Sequence, residues 1–182
     1  MTGSPTITDC TITLEQGAHI DVQRLSTDAA LTNLQISPAT YTAGEVLLEH
    51  ATDIAICKKI GLYSPPADGI WWIGLENGNG VLKTIKGTYD ESTNTITIPT
   101  MPSTKDELQN TVNGSAESGV KVEITGDGTI TVDSTVSVPG GADVAIKPDT
   151  GNSIGINTSG DTKARRFFGC RDGAGTDPYS FP

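Results

Sequence analysis

The chain has 182 residues, of which 35% are hydrophobic and 19% charged, with a formal net charge of −10 at pH 7. That length admits one large β-domain or two small ones. An acidic balance without a basic stripe excludes phosphate backbones as the main partner, and no apolar run approaches the ~18 residues that span a bilayer.

The opening Met1-Thr-Gly-Ser-Pro-Thr6 carries no basic segment and no apolar core of a secretory signal, so synthesis and folding in a reducing cytosol are expected. The three cysteines, Cys10, Cys57 and Cys170, are then expected as buried thiols. Residues 6–25 read as β, with Ile7, Ile12, Leu14, Ile20 and Val22 apolar and Glu15-Gln16-Gly17 turning. Residues 26–33 have the composition of one helical turn. Leu34 to Glu45 passes from strand to turn. Over 45–63 the spacing of Leu47, Ala51, Ile54 and Ala55 suits a helix, whereas Ile54, Ile56, Ile60 and Leu62 alternate. Two strands with a turn at 51–53 are the expectation.

Ser64 to Gly69 turns, Ile70 to Leu75 is a strand, and Asn77-Gly78-Asn79-Gly80 is the strongest hairpin signal in the chain. Val81 to Tyr89 returns, Asp90 to Asn94 turns, and Thr95 to Ile98 is a further strand. Pro99 and Pro102 break the pattern. Thr104-Lys-Asp-Glu107 is a capping box ahead of Leu108, and Asn113-Gly114 reads as a stop, so one short helix is predicted over 104–112.

From Val120 to Ile156 the large aliphatics fall on even positions: Val120, Val122, Ile124, Ile130, Val132, Val136, Val138, Val144, Ile146, Ile154 and Ile156. A period of two places them on one pleat face. Gly126-Asp127-Gly128 and Pro139-Gly140-Gly141 interrupt the run with turn residues. From Ser159 on, glycine, aspartate, proline and aromatics mix without period. The expected organisation is therefore a β-meander over 1–98, a connector with the helix over 99–118, a second β-region over 119–158, and an aperiodic tail over 159–182. The expected class is all-β, a sandwich or barrel-like domain of short antiparallel strands.

Catalytic patterns are missing: no P-loop, dinucleotide glycine motif, HExxH, CxxC or GxSxG is present. His19 and His50 are the only neutral-pH bases, each in a strand-like segment. No metal or cofactor is expected. Calcium alone has candidate oxygen donors, in Thr125-Gly-Asp-Gly128 and Lys147 to Asn152, without a twelve-residue EF-hand loop. Trp71 and Trp72, adjacent on a strand, face opposite ways; with nearby loop carboxylates either one makes a shallow ligand site. Phe167, Phe168, Tyr179 and Phe181 lie in a glycine-rich stretch and are candidate interface anchors, with Arg165 and Arg166 placed to pair an acidic partner.

Leu34-Gln-Ile-Ser-Pro-Ala to Gly44-Glu-Val-Leu-Leu48 resembles the opening strand pair of bacterial immunoglobulin-like domains. The run from Val120 is similar to the first rungs of tailspike-type β-helices. In composition the whole chain resembles small virion proteins of tailed phages, of the capsid decoration (cement) or tail type. That resemblance implies a non-enzymatic virion structural protein, made in the host cytoplasm, binding other virion proteins and forming a homo-oligomer, with a trimer favoured and no nucleic-acid or membrane partner. The alternative is a carbohydrate- or receptor-binding β-module of the tail-fibre kind.

Overall fold

A computed structural model describes residues 6–132, 134–147, 149–151 and 154–158. It is mostly strand, with two helices among the described residues. Contacts divide the chain into a unit up to Ile85 and a second from Lys86 onward.

In the first unit the strands coil. β1 (Thr6–Thr13) turns into β2 (Ile20–Asp21), and β3 (Ala30–Ser37) into β4 (Val46–Glu49). A helix, α1 (Ile54–Lys58), then leads to β5 (Ile60–Leu62). β1, β3 and β5 lie side by side and parallel, with Thr6 opposite Ala30 and Leu34 opposite Ile60; β2 and β4 do the same, with Ile20 opposite Leu48. Each advance of 24 to 28 residues therefore returns the chain to one position further along the stack. The expectation of antiparallel pairing fails here. Alternation fixes which face a side chain takes and leaves the partner's direction open.

One corner shows how the sequence builds a coil. Asp9 and Asn33, in matching positions, both take left-handed backbone (φ 50 and 52), which asparagine and aspartate tolerate best among residues with a side chain. The Asn33 amide donates to Asp9 Oδ1 at 2.9 Å. Each kink resets the alternation, so Ile7 and Leu31 point inward before it, and Cys10, Ile12, Leu34 and Ile36 after it.

Antiparallel pairing appears where the stack ends. β6 (Gly69–Glu76) and β7 (Asn79–Lys86) form the hairpin expected at Asn77-Gly78, with φ 49 and 76 there. β7 then runs antiparallel to β4, Val46 opposite Val81, giving the order β2-β4-β7-β6. Leu34, Ile36, Leu47, Leu48, Ile56, Ile73 and Leu82 fill one core between the two sheets.

Residues 54–58, expected as strand, are helical. The Asp53 carboxylate accepts the Ala55 N–H at 2.8 Å and caps the turn, while Ile56 and Cys57 are buried. A satisfied cap and two buried side chains outweigh a short alternating pattern. Residues 26–29 make a single turn closed by Ala29 N–H to Ser26 O, and strand begins at Ala30.

The second unit coils as well. β8 (Thr88–Asp90) is antiparallel to β9 (Thr95–Ile98). Helix α2 (Lys105–Ser118) follows, then β10 (Lys121–Ile124), β11 (Gly128–Val132), β12 (Val144–Ile146) and β13 (Ile154–Thr158). β9, β10 and β12 are parallel neighbours, with Thr95 opposite Lys121 and Val122 opposite Val144; β13 lies parallel on β11, and Thr104 bridges to Thr131. The turn read at Gly126-Asp-Gly128 is thus a coil corner between parallel strands. A Cβ on Gly126 would stand 2.1 Å from the Pro99 carbonyl oxygen, so the backbones of successive coils meet there with no room for a side chain. No sheet closes into a barrel among the described residues.

Helix α2 begins at the predicted capping box: Thr104 Oγ1 accepts the Glu107 N–H and Glu107 accepts the Thr104 N–H. It runs past Asn113-Gly114 to Ser118, and Gly119 (φ 73) caps it through a bond to Ser115 O. Gly114 is buried with Leu108, Val112 and Ser115; that burial outweighs the ~1 kcal/mol glycine penalty in a helix. The even-position pattern also overreaches: residues 134–139 are loop, with Val138 47% exposed. The expected tail at 159–182 lies outside the described residues.

Candidate functional site: an aromatic corner with a carboxylate

On the first unit, the turns that follow β3 and β5, with the start of β6, bring the side chains of Tyr41, Asp68 and Trp71 together with the Tyr63 backbone. Tyr63 extends the β5 ladder by one bond, its N–H donating to Ile36 O at 2.9 Å. Ser64 then takes φ 50, and Pro65 and Pro66 turn the chain toward β6. From the preceding coil, the Tyr41 hydroxyl donates to Tyr63 O at 2.6 Å. The Tyr41 ring meets Trp71 at a centroid distance of 5.5 Å and an interplanar angle of 74°, an edge-to-face contact. The Trp71 indole N–H donates to Asp68 Oδ1 at 3.1 Å.

Tyr41 and Trp71 pack on the core, and burial raises the Tyr41 phenol above its ordinary pKa. Tyr63 is different. It stands outside the core cluster and is 51% exposed, although both of its backbone polar groups are bonded. The result is an exposed tyrosine on a held stretch of backbone, next to a packed aromatic pair whose indole binds a carboxylate. Chemically it offers an apolar plane and a carboxylate that accepts hydrogen bonds.

Of the two tryptophans singled out in the sequence, Trp71 joins this corner. Trp72 is half-buried on the opposite face of β6. Tyr41, Tyr63 and Asp68 were not anticipated, because they meet only through coil stacking; Tyr41 and Tyr63 are 22 residues apart. Arg165, Arg166, Phe167, Phe168, Tyr179 and Phe181 lie outside the described residues.

A second polar cluster spans β2 and β4. His19 Nε2 lies 3.0 Å from Glu49 and His50 Nδ1 lies 3.2 Å from Asp21, so each histidine reaches a carboxylate of the neighbouring coil. The Gln23 N–H and then His50 hold the Asp21 carboxyl below its ordinary range. Of the cysteines expected as buried, Cys57 is buried, Cys10 is only half-buried, and Cys170 lies outside the described residues. Among the described residues no three His, Cys, Asp or Glu side chains are placed to hold a metal ion, and no helix is long and apolar enough to cross a membrane.

No protein-family model, curated protein or solved structure matches this chain.

Proposed function

We propose that the protein is a non-enzymatic structural component of a tailed-phage particle, of the capsid decoration or tail type, made in the host cytoplasm and resident in the virion. In this reading the two sheets of the first unit layer as a sandwich across their core and give a stiff body, and function resides in subunit contacts.

The observation that carries the reading is the outer side of β1. Among the described residues no strand pairs there. Its inward side chains Cys10 and Ile12 are half-buried, while Leu34 and Ile36, their partners one coil on, are buried. Unpaired edge strands and uncapped coil ends draw a neighbouring chain, which supports self-association, with a trimer favoured, and binding to other virion proteins. In the C-terminal segment Phe167, Phe168, Tyr179 and Phe181 are proposed as contacts, with Arg165 and Arg166 pairing an acidic partner. The net charge of −10 keeps nucleic acid out of this scheme.

The test is light scattering of the purified chain, together with incorporation of a chain truncated at residue 175. A trimer whose assembly weakens on truncation supports the proposal. A monomer without affinity for particle components refutes it.

The aromatic corner favours a second reading, a carbohydrate- or receptor-binding module. The Tyr63 ring, 51% exposed, offers the kind of apolar face on which a sugar or a receptor side chain can lie. A glycan array reports on that reading.

A further inference from the structure

We infer that the outer edge of β1 binds a second copy of this chain across a two-fold axis, β1 against β1 and antiparallel, with Ile12 on the axis. The inference rests on the virion reading above and gives its self-association an address. The contact is separate from a three-fold one through the C-terminal segment. Alone it makes a dimer; with that contact it makes a hexamer.

The backbone carries the argument. The Leu14 N–H donates to Ser37 O at 2.9 Å. In the parallel ladder of β1 on β3, with Ile12 opposite Ile36 and Thr13 opposite Ser37, successive residues turn their polar groups to opposite sides. Ile12 and Leu14 therefore turn theirs to β3, while Thr11 and Thr13 turn theirs outward. Both threonines are exposed, and no described strand pairs with them.

Such a row of N–H and C=O groups is a template for another strand, and edge strands are normally blunted by lysine, proline or a bulge. β1 reads Thr6-Ile-Thr-Asp-Cys-Thr-Ile-Thr13, with neither lysine nor proline. Its one charge, Asp9, sits at the left-handed kink and accepts the Asn33 amide, so the stretch beyond it is uncharged. The inward side is equally incomplete. Cys10 and Ile12 are half-buried where Leu34 and Ile36, one coil on, are buried. Ala18 and Ile20, in the same outermost coil, are half-buried too.

Self-complementarity names the occupant. Two copies of one edge related by a two-fold axis run antiparallel. With Ile12 opposite itself, Thr11 faces the second copy's Thr13, and each outward N–H meets an outward C=O. Cys10 then lies opposite the second copy's Leu14, inward chain against inward chain, and the threonines pair on the outer face. A register centred on Thr11 would set Thr13 against the kink at Asp9 and lose the bonds there. Ala18 and Ile20 extend the contact beyond one strand, as an interface of about 800 Å² per partner requires.

Light scattering on the full chain, in about 0.3 M salt to screen the −10 charge of each copy, reads the assembly. An even number of copies is expected. Thr13→Pro removes an outward N–H and none that β3 uses, a change that an edge strand tolerates. The mass should fall by half with far-UV circular dichroism unchanged. Thr13→Val, which keeps the N–H, should leave the mass as it is. Hydrogen exchange on the wild-type chain reads the same contact without a variant: the Thr11 and Thr13 amides should be protected, and that protection should fall on dilution. An odd number of copies, a mass unmoved in folded Thr13→Pro, or Thr11 and Thr13 amides exchanging as freely as exposed loop amides overturns the contact. A trimer that dissociates on truncation at residue 175 and not in Thr13→Pro overturns the two-fold contact and leaves the virion reading standing. A monomer without affinity for particle components overturns both.

Discussion

Replacing Ser115 by alanine should be among the most damaging single-atom deletions in the second unit. Ser115 is fully buried on α2, and its hydroxyl accepts the Asp143 N–H at 2.9 Å. It also lies 2.8 Å from Val120 O and 3.1 Å from Asp143 O. A hydroxyl has one proton to give, and Asp143 O already accepts the Val122 N–H at 2.9 Å, so the proton belongs to Val120 O. One oxygen thus ties the helix to the entries of two neighbouring strands. Ser115→Ala leaves the buried Val120 O without its donor, at about 1–3 kcal/mol, and the part-buried Asp143 N–H without its acceptor at less, since Asp143 itself is exposed and water can reach it; the sum is about 2–3 kcal/mol. With a urea slope of about 2 kcal/mol/M, the midpoint should fall by about 1–1.5 M. Far-UV circular dichroism is the right probe, since Trp71 and Trp72 both belong to the first unit. Ser118→Ala, which removes a bond from a half-buried hydroxyl to Gly114 O and a longer one, 3.3 Å, from the Val120 N–H to it, is the control and should cost about 1 kcal/mol. A Ser115→Ala midpoint no lower than that of Ser118→Ala would refute the reasoning.

Gly126→Ala should be worse than an ordinary overpacking change of about 1–3 kcal/mol, because the new Cβ meets the Pro99 carbonyl, and backbone cannot rotate out of the way; soluble yield and the urea midpoint check this. Thr104→Ala removes the cap oxygen of α2 and should cost about 1 kcal/mol, read by thermal melts, where an unchanged melt counts against the cap. Glu123 is held below its ordinary value of 4.5 by Lys147 and then Lys121. Because its folded pKa is the lower one, its contribution is complete above about pH 4.5 and is lost as pH falls through the folded value. Wild type should therefore exceed Glu123→Gln by on the order of 0.5–1 kcal/mol at pH 6, allowing for solvent screening, and the two curves should converge as the pH falls through the folded value.

The strands and their inward residues were legible in the sequence because alternation is a local property: Ile12, Val122, Ile124 and Ile130 each take the face their parity assigns. Direction of pairing was not legible. The same Gly, Asn and Asp residues that close a hairpin also turn a coil corner, as Asn77-Gly78 and Gly126-Asp-Gly128 each show. What distinguishes them is long-range repetition, and it is present. Ile7-Thr-Asp-Cys-Thr-Ile-Thr13 recurs as Leu31-Thr-Asn-Leu-Gln-Ile-Ser37, and Ile96-Thr-Ile98 as Val122-Glu-Ile124 and Val144-Ala-Ile146. These echoes are short and separated by unequal spacers, so a local reading passes over them. The aromatic corner was half legible. Trp71 drew notice by composition, whereas Tyr41, Tyr63 and Asp68 are ordinary turn residues until stacking joins them.

The stacked corner at Asp9 and Asn33 sets a rule for change over evolutionary time. Both residues hold left-handed backbone and share a hydrogen bond across one coil step. An insertion of a few residues between them would shift one kink against the other and turn the inward side chains of that coil to the outside. An insertion of one whole period, about 24 residues here, would place a third kink on the same line and leave both neighbours undisturbed. Length variation among descendants of this sequence should accordingly come in discrete steps: whole turns gained or lost between corners, and arbitrary lengths only in loops such as residues 134–142 that pair with no strand.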